Sequence, residues 1–121
     1  MRYLCAVYFE PENLQALSAG EHAELGRASR DYDIELSKRG CYIIAEALQP
    51  VHTAKTVRVR KRRRQIAVGP FAETKEHLGG FILVEAADMD AALAIAAGIP
   101  LAKFGTIEVR PVMDFSSKSK G

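Results

Sequence analysis

Within five residues, the stretch from Glu73 to His77 gathers two carboxylates, an amine and an imidazole. Held in a pocket, Glu73 or His77 can move a proton while Lys75 or Arg58 steadies the negative charge that develops. Left in water, the same residues are a charged loop. A second set, Arg58, Glu108 and Arg110, alternates with Val57, Val59, Ile107 and Val109 and so faces away from the apolar side of its strands. There it can hold an anionic ligand in a cleft or form ordinary cross-strand ion pairs. A third set is basic: Arg58, Arg60, Lys61, Arg62, Arg63 and Arg64 fall within seven positions.

Other chemistries lack carriers. His22, His52 and His77 are scattered and share no helix or hairpin spacing, so no metal site is expected. Cys5 and Cys41 sit inside apolar runs and read as reduced core residues. Ser18 reads as a helix cap, and neither a Gly-x-Ser-x-Gly elbow nor a glycine-rich phosphate or dinucleotide loop occurs. No cofactor is therefore expected.

The chain has 121 residues, 48% of them hydrophobic, enough for one domain with its own core. Its formal charge is +2, but the basic run takes 6 of the 17 bases, leaving 11 against 15 acids, or −4. A local cluster on an acidic body calls for a local explanation. With no recognition helix and no interleaved aromatic residue, the run reads as a solvated turn or an acidic-partner contact in preference to a nucleic-acid arm. No stretch approaches the roughly 20 apolar residues that span a bilayer. The first residues do not resemble a signal peptide, so a cytoplasmic address is expected.

Tyr3 to Phe9 reads as a buried strand. Ser18 and Glu21 have capping-box spacing and open a helix from about Gly20 to Arg39, with Leu25, Ala28, Tyr32 and Leu36 as its apolar stripe and Gly40 as its left-handed cap. Cys41 to Leu48 reads as a second strand. Thr56 to Arg60 reads as a half-exposed strand with Val57 and Val59 on one face, and Gln65 to Val68 as its hairpin partner, with Lys61 to Arg64 in the turn. Phe81 to Val84 is a further strand behind Gly79-Gly80, whose glycines suit close strand packing. Asp88 caps a helix that ends near Gly98, and Thr106 to Met113 is the last strand. With the hairpin set aside, the order is βαββαβ: an α+β, ferredoxin-like sandwich with both helices on one face of the sheet. The other face needs a cover, which a homodimer supplies. The domain is expected over 1–113, with a disordered tail at 114–121.

The strings Gly69 to Glu76 (GPFAETKE), Leu78 to Phe81 and Ile107 to Val112 resemble the YCII-related family, in particular its subgroup named for the tetrapeptide Asp-Gly-Pro-Phe. The resemblance implies a dimeric α/β barrel of ferredoxin-like domains, and a pocket lined by some of Gly69, Pro70, Phe71, Glu73, Thr74 and Lys75. Val68 replaces the motif aspartate, removing a titratable group. The family's helix histidine falls where this chain reads Ala28-Ser29-Arg30. The subgroup's Asp-Gly turn is replaced by Lys61-Arg62, and since these residues disfavour positive φ, a looser loop is expected. Two functions stay open: a homodimer that binds a small polar or anionic molecule, with or without acid/base catalysis by Glu73 or His77, and a non-catalytic regulatory domain whose basic hairpin meets an acidic partner.

Overall fold

The computed structural model describes residues 1–72 and 74–115; Glu73 and the segment 116–121, most of the expected tail, lie outside the described residues. The elements are β1 (Arg2–Phe9), α1 (Pro11–Gln15), α2 (Ala19–Lys38), β2 (Tyr42–Ala47), β3 (Lys55–Arg60), β4 (Arg63–Val68), β5 (His77–Glu85), α3 (Met89–Gly98) and β6 (Gly105–Pro111). Single 3-10 turns cover Val51–Thr53 and Pro100–Lys103. One sheet has the order β2-β5-β1-β6 with every neighbouring pair antiparallel, which is compatible with a ferredoxin-like fold. In sequence, β3 and β4 fall between β2 and β5, and among the described residues they pair only with each other.

Local chemistry fixes the ends of α2. The Ser18 side chain accepts from the Glu21 amide at 3.1 Å while the Glu21 carboxylate accepts from the Ser18 amide at 2.8 Å. That backbone hydrogen bond, together with the Ser18 hydroxyl, holds the Glu21 carboxyl below its ordinary pKa. At the other end Gly40 takes φ 74°, and the amides of Gly40 and Cys41 donate to Ser37 O and Leu36 O. These are the two bonds of a Schellman cap, so the helix stops where the glycine allows it. Asp88 caps α3 by accepting from the Ala91 amide at 2.9 Å. α1 has no counterpart in the sequence reading: Pro11 stands at the first helical position, where its missing amide costs nothing.

Alternation along the strands divides the sheet into two faces. Tyr3, Cys5, Ile82 and Val84 turn inward and meet Leu36 of α2 and Ala92, Ile95 and Ala96 of α3. Both helices therefore cover one face. The free thiol of Cys5 is sealed in this core, and burial pushes its pKa up to about 11. Gly80 permits close pairing of β5 with β2: a Cβ there would lie 2.7 Å from Glu46 O. Among the described residues, the opposite face carries no helix. Leu4, Ala6, Tyr8, Leu78, Phe81, Glu108 and Arg110 line a groove of about 410 Å³ across it.

The β3–β4 ribbon corrects three expectations. Its turn is not loose: Arg60 pairs with Arg63, and the two residues between them, Lys61 and Arg62, take φ 51° and 65°. Two positive φ angles give the tight turn whose twist matches the flanking strands, and the six-residue ladder imposes that geometry on residues that disfavour it. Arg63 and Arg64 belong to β4 and not to the turn. Val57 and Val59, expected on a half-exposed strand, are open to solvent. Replacing Lys61-Arg62 with Asn-Gly is expected to relieve about 1 kcal/mol of backbone strain. Amide exchange at Arg60 and Arg63 should then slow roughly fivefold; unchanged exchange would show that the turn is unstrained.

Candidate functional site

The described residues of the Gly69 to His77 string are largely occupied with one another and with the base of the ribbon. Gly69, at φ 98°, donates its amide to Ala54 O at 2.7 Å and accepts from the Thr56 hydroxyl at 2.9 Å. Arg58 places its guanidinium 4.9 Å from the centroid of the exposed Phe71 ring, a cation–π contact that ties β3 to the string. Thr74 donates its hydroxyl to Glu76 O at 2.6 Å. Lys75, itself exposed, sits 3.4 Å from the carboxylate of half-buried Glu10. Pro70 is exposed beside them.

The remaining residues singled out in the sequence lie in two other places. His77 opens β5 opposite Phe9 and lines a cavity of about 410 Å³ with His52, Leu14, Leu48 and Val51. Two of the three histidines, scattered in sequence, thus share one cavity. Glu108 and Arg110 share the groove on the uncovered face with Tyr8 and Phe81. Among the described residues, no three histidine, cysteine or acidic side chains are grouped so as to hold a metal ion.

A further site escaped the sequence reading. Between α2 and the β2–β5 edge lies a cavity of about 200 Å³, lined by Ser29, Tyr32 and Asp33 of α2 over Val7, Ile82, Ile99 and Leu101. Ser29 and Asp33 are one helical turn apart and so share a face. The Tyr32 hydroxyl is already committed, donating to Ile95 O at 2.6 Å. Asp33 is half-buried and makes no hydrogen bond or ion pair among the described residues. Burial pushes its carboxyl above the ordinary aspartate pKa. A partly desolvated, unpartnered carboxyl beside apolar walls costs the fold stability and suits it to meet a ligand. The signal was present in the sequence: Asp33 adjoins Tyr32 of the apolar stripe, one turn after Ser29.

No helix among the described residues is long and apolar enough to cross a membrane. The chain is 37% identical over 91 residues, 74% of its own length and 70% of the relative's, to the uncharacterized protein R00369 of Rhizobium meliloti (strain 1021). Its fold is similar to that of 5-chloro-2-hydroxyhydroquinone dehydrochlorinase (TftG) from Burkholderia phenoliruptrix AC1100, solved in complex with 2,5-dihydroxybenzoquinone. The TM-score is 0.56 at 17% identity, with 97% of this chain and 98% of that one covered. The YCII-related domain matches residues 1–116, and the chain belongs to the YCII-related family.

Proposed function

We propose that this protein is a homodimer, paired as a dimeric α/β barrel, that binds a small polar molecule under α2 and exchanges a proton with it through Asp33. The observation that carries this reading is the unpartnered, half-buried Asp33 carboxyl on a cavity with apolar walls. Because burial raises its pKa, the group stays protonated to higher pH than an exposed aspartate. It can donate to a bound oxygen and take the proton back as carboxylate. The low-dielectric walls strengthen each of these contacts. The resemblance puts the family's histidine in the stretch Ala28-Ser29-Arg30, and Asp33, about one turn on, supplies a titratable group in its place.

The other candidates fit around this core. Arg110, beside Glu108, holds an anionic group in the groove that a partner's sheet would close, and Glu73 or His77 is the competing proton-transfer group. Small oxygenated rings, of the kind bound by the structurally similar dehydrochlorinase, are the first ligands to try. In two-dimensional NMR of the labelled protein, 2,5-dihydroxybenzoquinone should shift the amides of Ser29, Asp33 and Gly80. Asp33→Asn should weaken that binding at least about tenfold, the worth of one charge-assisted hydrogen bond. A related ring that shifts only the amides around His77 and His52 would assign the chemistry to His77. The non-catalytic reading keeps one observation in its favour, the exposed basic residues from Arg60 to Arg64.

A further inference from the structure

We infer that the β3–β4 ribbon is an arm that lies on a second copy of this chain. Val57 is opposite Ile66, Val59 opposite Arg64 and Lys55 opposite Val68, and directly opposed residues share a face. Val57, Val59, Ile66 and Val68 therefore form one aliphatic patch. The protomer does not cover it: the four side chains are 60, 58, 60 and 83% exposed. A two-stranded ribbon is marginal in water without something packed on its apolar face. The positive φ angles at Lys61 and Arg62 add strain.

Two features identify the cover as another copy. A further uncovered apolar surface among the described residues is the outer sheet face around Leu4, Tyr8 and Phe81, and a two-fold pair can cover both surfaces with contacts that close on themselves. Charge agrees. Arg60 to Arg64 are exposed at the far end of the ribbon, while outside the basic run the chain has 11 bases against 15 acids. Exposed Glu21 and Asp31 stand on α2 beside Glu24 and Glu35, which already pair with Arg27 and Arg39. A second copy thus offers apolar surface on its outer sheet face and acidic side chains on α2, across the sheet from it.

The arm rests on the homodimer proposed above and adds to it the segment that grips. Sedimentation of the full chain over a range of concentrations tests both. The wild type should dimerise, and Val57→Glu with Ile66→Glu should raise the dissociation constant at least about 30-fold, as loss of a central apolar contact does. Circular dichroism checks that the four-stranded sheet persists. Reversing charge with Arg62→Glu, Arg63→Glu and Arg64→Glu leaves the patch intact and should also loosen the dimer, and the wild-type dimer should loosen with salt. A dimer of unchanged affinity in both variants overturns the arm and leaves the homodimer standing. A wild type that stays monomeric overturns both, and if that monomer takes up single-stranded DNA through the ribbon, the arm serves a polyanion instead.

Discussion

Replacing Gly80 with alanine is expected to destabilise the fold by about 3 kcal/mol, the upper end for forcing a methyl group into packed structure. The new Cβ would stand 2.7 Å from Glu46 O and 3.2 Å from the Ala47 Cα. Both are backbone atoms of β2, so no side chain can rotate out of the way. β2 would have to move off β5, loosening the pairs Glu46 with Phe81 and Ala47 with Gly80. The same residues wall the cavity under α2, so the cavity should deform with the strand. Gly79→Ala is the control, because its Cβ meets the Phe9 ring, a side chain that can shift. Urea denaturation should show the Gly80 variant clearly less stable than the Gly79 variant, with a melting temperature roughly 10 °C below wild type. Equal losses at the two positions would mean that β2 does not limit the approach.

What the sequence disclosed depended on how local the deciding interaction was. The ends of α2 were legible because Ser18, Glu21 and Gly40 satisfy backbone groups within four residues of themselves. The cap on α3 was legible for the same reason. Pro11 was ambiguous on local grounds, since proline both ends strands and begins helices, and only the chain beyond it decides. At Lys61-Arg62 local preference pointed the wrong way: six ladder pairs outweighed the cost of two left-handed residues. The site was hardest to read. Asp33 has an obvious neighbour in Ser29, but Leu101 and Ile82, which make its surroundings apolar, lie 68 and 49 residues away along the chain. The Gly69 to Glu76 string drew attention through family resemblance, and several of its polar groups prove to be tied to neighbouring backbone or to Glu10.

Asp33→Asn is expected to separate function from stability. Proton exchange at a ring carbon of a bound hydroxylated ring, assisted by donation to the ring oxygen and followed as carbon-bound deuterium in the ligand, should fall at least about 100-fold, because an amide of the same shape cannot exchange a proton. Stability should move the other way. The Asp33 carboxyl has a higher pKa in the folded chain than in the unfolded one, so the folded state binds its proton more tightly. Below the ordinary aspartate pKa of about 3.9 both states are protonated and ionisation costs the fold nothing. As pH rises through the folded pKa, the wild type must ionise a partly desolvated group, and the stability associated with the neutral form is lost. The substituted amide never carries that charge, so the variant should gain on the wild type as pH climbs above about 4 until the folded carboxyl is ionised, and melting curves across that range will read the gain. Loss of transfer together with a pH-dependent gain in stability marks a residue kept for chemistry at the fold's expense. Loss of both would make Asp33 structural, and unchanged transfer would return the proton to His77.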